Sequence, residues 1–152
     1  MKRDFEEMMT EVKALHVRLV EMAPLFRGDL PMGDAFPGVY LFYERGRALY
    51  AGRGGNVRER VMQHSRNSIH DAPFAHRLAR KATGRRATYS VEGGRRWLKK
   101  DVEFCEALRK AKLRIGRMTV RYVKVKDPVA QALLEIYTST VLNTPYNEFK
   151  TT

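Results

Sequence analysis

The sequence predicts a small α+β domain: a central three-stranded sheet, antiparallel or mixed, flanked by helices and preceded by an extra N-terminal helix. Three observations lead there. Two short aromatic-rich runs, Gly38–Glu44 and Ala48–Gly52, stand on either side of the turn "ERGR", which is the pattern of a β-hairpin. A third alternating run with β-branched residues, "GRMTVRYVKVKD", follows only after a long helical excursion. Around these runs, apolar residues recur three and four apart, the period of helices with one buried face. Strands interrupted by a block of helices, rather than alternating with single ones, describe an α+β layout.

Each element can be justified in chain order. Asp4 and Glu7 form a capping pair, and Phe5, Met8, Met9, Val12, Leu15, Leu19 and Met22 give the first helix its apolar stripe. That helix ends before Pro24. "APLFRGDLPMGDAFPG" is rich in Pro and Gly and reads as a connector. After the hairpin, Asn56 caps a helix, with Glu59 three residues on and Val57, Val61 and Met62 facing inward. "APFAHRLARKATG" is a short helix stopped by Gly84, and "ATYSVEGG" a strand or extended loop. In "RRWLKKDVEFCEALRKAK", Leu98, Val102, Cys105 and Leu108 take helical spacing. Asp127 and Pro128 start the last helix, as cap and first-turn proline.

Composition bounds the function. At 152 residues with 43% hydrophobic content, the chain suits one domain with an ordinary core. No run approaches the ~18 apolar residues that span a bilayer, and no basic segment followed by an apolar stretch opens the chain as a secretory signal does. No membrane association is expected. Cys105 is the single cysteine, which excludes an internal disulfide and a Cys-rich zinc site and makes a reducing cytoplasm the default compartment. Charge is the strongest bulk signal: 29 Lys and Arg against 17 Asp and Glu, a net +12, with a pI near 10.1. From Arg77 to Lys100 the basic residues are Arg77, Arg80, Lys81, Arg85, Arg86, Arg95, Arg96, Lys99 and Lys100, and the acid is Glu92. Such a stripe suits a surface that tracks phosphates, so nucleic acid is the expected partner.

Several residues could carry chemistry. Glu135 sits in "VAQALLEIYTSTVL", a helix apolar on most of its circumference, where a lone carboxylate is expensive to bury unless it pairs with an arginine or holds a hard cation. Mg²⁺ fits the second reading, since it keeps most of its waters and needs one or two carboxylates plus substrate phosphate. Arg60 and His64, four apart, share one face of the helix that follows "GRGGN", and can grip a phosphate and handle a proton. Tyr40, Tyr43, Tyr50, Tyr89 and Tyr122 cannot be told apart by pattern, and aromatics in a hairpin are usually core. His64, His70 and His76 are each six apart, which fits no zinc motif.

"GVY" and "YAG", with nine residues between their tyrosines, resemble the paired tripeptides of the GIY-YIG nuclease family. Arg60 stands ten residues after Tyr50, where that family carries a catalytic arginine, and His64 follows one turn later. "ALLE" places Glu135 as the metal-binding glutamate of a late apolar helix, and "NTPYN" places Asn147 twelve residues beyond it. The chain departs from the family at Val39 and Ala51, where isoleucines are usual, and at Arg53, where Lys or Ser is common. The segment after His64 is longer than in the minimal module.

The resemblance implies residues 1–36 as N-terminal helix and connector, then a nuclease domain over 37–152 with a basic helical insertion at about 65–115. It implies hydrolysis of phosphodiesters with Mg²⁺ or Mn²⁺. Glu135 would hold the metal, Arg60 bind the non-bridging oxygens, and Tyr40 or His64 deprotonate water. Tyr50 would bond the phosphate or water, and Asn147 order the site. Gly38 and Gly52 would keep the backbone open, one of them beside a phosphate. Arg53, Arg77, Arg80, Lys81, Arg85, Arg86, Arg95 and Arg96 would contact the nucleic-acid backbone, DNA in preference to RNA. Asn67 or Arg86 could add specificity. One site cuts one strand, so the protein would act as a monomer or a homodimer. The alternatives are a non-catalytic nucleic-acid-binding module and an RNA-associated basic protein of the same fold.

Overall fold

The computed structural model describes residues 4–66, 73–84 and 102–149. Among them are five helices: α1 (Phe5–Glu21), α2 (Val57–Gln63), α3 (Pro73–Thr83), α4 (Val102–Gly116) and α5 (Pro128–Leu142). Four strands, β1 (Leu25–Phe26), β2 (Gly38–Glu44), β3 (Arg47–Gly54) and β4 (Thr119–Lys124), form one antiparallel sheet in the order β1-β4-β2-β3. The chain divides into two compact units, Met1–Val61 with Met118–Thr152, and Met62–Arg117.

In the first unit, helix ends form where side chains satisfy the free amides of the first turn. The Asp4 carboxylate accepts from Glu7 N–H at 2.8 Å, Asn56 from Glu59 N–H at 3.2 Å, and Asp127 from Val129 N–H at 3.0 Å. The hairpin turns at Arg45 and Gly46, whose φ values of 53° and 77° match the twist of the strands they join. The register shifts between Phe42 and Tyr43: Phe42 pairs with Tyr50 and Tyr43 with Ala48, so Leu49 is the extra residue of a bulge.

The sheet has four strands where the sequence leads one to expect three. The added strand is two residues of the connector, Leu25 and Phe26, paired with Val120 and Thr119. Two residues after a proline are too few for alternation to register as a strand pattern. The connector's far end is held as well, because Phe36 and Pro37 carbonyls accept from Val57 and Val125 N–H at 3.0 and 2.9 Å.

β2 lies between β3 and β4 and is buried on both sides. Val39, Leu41, Ala51 and Val123 point to one face, where Val12, Leu15 and Leu19 of α1 and Ala130 and Leu134 of α5 close over them. Truncating a leucine in such a cluster to alanine costs about 2–5 kcal/mol. The opposite face carries Tyr40, Phe42 and Tyr50. The N-terminal helix is thus part of the core and not a detached arm. Arg121 ties it to the sheet: its Nη1 donates to the Val20 carbonyl at 2.7 Å, and its guanidinium lies 4.4 Å over the Tyr43 ring.

α1 also buries a residue that its apolar stripe did not include. His16 packs edge-on against Tyr137 at 5.1 Å, and its Nδ1 is 2.9 Å from the Thr138 hydroxyl.

In the second unit, α3 packs against α4. The buried residues of α4 are Phe104, Leu108, Ala111, Lys112 and Ile115. The expected stripe is therefore displaced: Val102 is exposed and Cys105 half-buried. Phe104, a larger apolar group than Cys105, takes the core position and packs on His76 at 5.7 Å. Lys112 shares this face, and burial lowers its pKa. Leu98 and the "ATYSVEGG" segment lie outside the described residues.

His16 makes stability depend on pH. Burial holds its pKa below 6.5, so the unfolded chain binds the proton more readily than the fold does. Its contribution is complete above pH 6.5 and is lost as pH falls through the lowered value. Urea unfolding across this range should give a midpoint that falls on acidification for the wild type, and a flatter profile for His16→Gln.

Candidate active site

The tyrosine of "GVY" and the glycine of "YAG" are one packing unit. Tyr40 and Gly52 stand directly opposite each other in the β2–β3 ladder. A Cβ added at Gly52 would overlap the tip of the Tyr40 ring at Cζ and Oη. The ring therefore lies across the bare backbone of β3, the outermost strand, which brings the buried tyrosine's hydroxyl to the sheet's edge. Tyr40 is 1% exposed, so the ring has no room to swing aside. Gly38 answers to a different neighbour, since a Cβ there would strike the Val123 carbonyl of β4. Both glycines are thus required by the protein's own packing.

Tyr50 shares the Tyr40 face because its register partner is Phe42. Arg60 comes from α2, directly after the strand, and bonds the Tyr40 hydroxyl through its side chain. These contacts determine the state of Tyr40. Burial raises its pKa well above 10, Tyr50 and Glu135 push it further up, and the charge and hydrogen bond of Arg60 oppose them. The hydroxyl is consequently a neutral phenol at physiological pH.

Glu135 reaches the site from α5. The helix is less enclosed than its composition suggests, because Val129, Ile136 and Val141 are each about half exposed. The carboxylate is correspondingly open, with 22% of its side chain accessible, and Oε2 lies 3.6 Å from Nε of Arg53. The two readings of this glutamate, ion pair or cation ligand, thus meet at one atom. Arg53 follows Gly52 on β3, and strand alternation turns it to the α5 side.

Asn147 has a definite task. Its Oδ1 accepts from Ala51 N–H at 2.8 Å and from the Thr144 hydroxyl at 2.7 Å, and its Nδ2 donates to the Ala51 carbonyl at 2.8 Å. One side chain thereby pairs with the edge of β3 as a neighbouring strand would. Tyr146 N–H adds a bond to Leu49 O at 3.2 Å. α5 delivers this segment through Asn143, whose left-handed φ of 52° ends the helix, and Thr144 N–H, which donates to Ser139 O.

The structure brings Tyr40, Tyr50, Arg53, Arg60, Glu135 and Asn147 together in the first unit. His64 belongs to the second, where it is fully buried with its ring edge-on to Phe74 at 6.3 Å. Arg77, Arg80 and Lys81 are on α3 of that unit, with Lys81 exposed. Arg85, Arg86, Arg95 and Arg96 lie outside the described residues, as do Lys99, Lys100 and Asn67. Sequence reasoning missed the Arg53–Glu135 pair and the Thr144–Asn147 bond. Each residue stands in or beside a quoted motif, but a motif does not say which side chains meet: Arg53 and Glu135 are far apart in the chain, and the Thr144 hydroxyl finds Asn147 only once the segment turns after α5.

Among the described residues, no group of three or more His, Cys, Asp or Glu gathers as a metal cage. The donor at this site is one partly exposed carboxylate. That chemistry fits Mg²⁺ or Mn²⁺ held through a single oxygen ligand, with water and phosphate completing the shell, and does not fit zinc. Also among the described residues, no helix is long and apolar enough to cross a membrane. No family model, curated protein or solved structure matches the chain.

Two substitutions test this geometry. Gly52→Ala forces the enclosed Tyr40 ring from its seat and should destabilise the fold by about 1–3 kcal/mol. Asn147→Ala strips both Ala51 backbone groups of their partner and should cost about 1–3 kcal/mol. Denaturant midpoints measure both, and a value indistinguishable from wild type for either would contradict the corresponding contact.

Proposed function

We propose that the chain is a metal-dependent endonuclease of the GIY-YIG type, hydrolysing phosphodiester bonds in nucleic acid, with DNA preferred to RNA. The observation that carries this reading is the seat of the Tyr40 ring on Gly52, one residue from Arg53, which faces Glu135 at 3.6 Å; Arg60, Tyr50 and Glu135 all act electrostatically on the Tyr40 hydroxyl. Tyr40, Tyr50, Arg60 and Glu135 come from β2, β3, α2 and α5, and each is a residue type that phosphodiester hydrolysis can use. The net charge of +12 supports a polyanionic substrate.

Hydrolysis needs an attacking water, a group to take its proton, charge to stabilise the crowded phosphate, and help for the departing oxygen. Arg60 would donate to the non-bridging oxygens, as a planar guanidinium does to phosphate. Glu135 would hold the divalent cation, which when bound supplies Lewis-acid stabilisation to the phosphate and leaving oxygen. Tyr50 would bond the water or the phosphate. Tyr40 would orient the water and accept its proton, and Asn147 would keep β3 in place without touching the reacting atoms.

The electrostatics of Tyr40 bear on the proton acceptor. A phenol whose pKa is raised well above 10 is ionised in a small fraction of molecules at neutral pH, and that fraction grows tenfold per pH unit. If Tyr40 is the base, log rate should rise with unit slope from about pH 6 to about pH 9 and lose that slope in Tyr40→Phe. A profile that keeps the same slope in Tyr40→Phe would assign the proton to another group.

Nicking of supercoiled plasmid provides the direct test. Activity should require Mg²⁺ or Mn²⁺, cease in excess EDTA, and fall by about 10²–10³-fold in Arg60→Ala and in Glu135→Gln. Cleavage that persists in both variants would refute the proposed site.

A further inference from the structure

Arg53 and Glu135 form an ion pair whose two members have competing appointments. Both belong to the first unit, on β3 and α5. The carboxylate offers Oε2 to Arg53 Nε at 3.6 Å, beyond hydrogen-bond range but within the reach of an ion pair. The pair is also solvent-accessible, with 46% of the Arg53 side chain and 22% of the Glu135 side chain exposed. Exposed, imperfectly aligned pairs of this kind are weak and readily exchanged.

Geometry limits where Arg53 can go. Its Cα is fixed one residue past Gly52, on the strand whose edge Asn147 clamps at Ala51. The long side chain is free to move from that fixed base, and a guanidinium so placed binds carboxylate or phosphate with the same fork of donors. The Tyr40 hydroxyl, which lies over Gly52, is one residue away along β3.

We propose that Arg53 is an exchangeable placeholder: it neutralises Glu135 in the free protein, and transfers to a backbone phosphate of the nucleic acid when that arrives. The exchange keeps both charges compensated at each stage. A free Glu135 would repel the polyanion, and an Arg53 committed to the carboxylate cannot bind phosphate at full strength. Any cation that takes over the carboxylate, or any change that neutralises it, releases Arg53 and tightens nucleic-acid binding. This rests on the nucleic-acid reading above, but its test needs neither metal nor catalysis.

The experiment is a double-mutant cycle on binding. The affinity of the full chain for a fluorescein-labelled DNA duplex of mixed sequence is measured by anisotropy, in EDTA and at low salt. The four proteins are wild type, Glu135→Gln, Arg53→Ala and the double variant, each first confirmed folded by its thermal melt. Glu135→Gln removes a charge that repels DNA in either background, so only the difference between backgrounds reports on Arg53. The gain from Glu135→Gln should be larger by about threefold when Arg53 is present than when it is alanine. Equal gains in the two backgrounds would overturn the placeholder role while leaving the nuclease reading intact. Failure of all four proteins to bind the duplex would instead remove the reading on which it rests. Arg53→Lys keeps the charge without the fork, and should retain part of the excess.

Discussion

The seat of the Tyr40 ring on Gly52 is the constraint around which the site is arranged. A tyrosine on a central strand normally ends in the core, and its hydroxyl then needs a buried partner. Here the ring crosses the neighbouring strand at the single position that lacks a side chain, so its hydroxyl reaches the sheet's edge. Every other candidate residue is placed relative to that point. Tyr50 is two residues back along the same strand, Arg60 is in the helix that leaves it, and Glu135 is on the helix that covers the other face. Any side chain at position 52 would shift the hydroxyl that all of them act on.

That arrangement depends in turn on the edge strand keeping its line. An unpaired edge is free to twist, slip or accept a foreign strand. Leu49 bulges out of register in β3, which leaves the residues just before the tyrosine–glycine pair without a regular ladder. Tyr146 and Asn147 act at these positions, bonding Leu49 and both polar groups of Ala51. An asparagine suits the second task because its amide copies the donor and acceptor of a peptide group. The residue is therefore a positioning residue, and its value to the site is the stiffness it lends to the strand beneath Tyr40.

Much of this was legible in the sequence wherever the signal was local. The caps at Asp4, Asn56 and Asp127 were readable because capping works over three or four residues. The hairpin was readable from its turn and its two aromatic runs. β1 was not, because two paired residues carry no period. His16 was not, because a polar residue on an apolar stripe declares its partner, Thr138, only in three dimensions. The α4 stripe was misaligned because Val102 and Cys105 are apolar by type, whereas Phe104 wins the core position by size. For the site, the resemblance to the GIY-YIG pattern picked out Tyr40, Tyr50, Arg60, His64, Glu135 and Asn147 as a set, of which His64 lies in the second unit. It could not reveal that Gly52 exists for Tyr40, or that Arg53 faces Glu135.

Charge accounting connects these pieces. Burial keeps Tyr40 neutral, so the charged groups described at the candidate site are the guanidiniums of Arg53 and Arg60 and the carboxylate of Glu135. That excess of one positive charge balances the single negative charge of a phosphodiester in its ground state. It does not balance the additional negative charge that builds on the phosphorus oxygens as water adds, and an enzyme gains rate only from interactions that strengthen at that stage. A hydrolase built from these residues alone would bind its substrate better than it would cleave it. The carboxylate beside the reacting groups would be a liability in such a protein, because its charge has the same sign as the phosphate. It would become an asset on the proposed reading, where a divalent cation held there would convert the local balance from one positive charge to three. On that reading, the metal thus gives this carboxylate a role at the site that its ion pair with Arg53 alone does not.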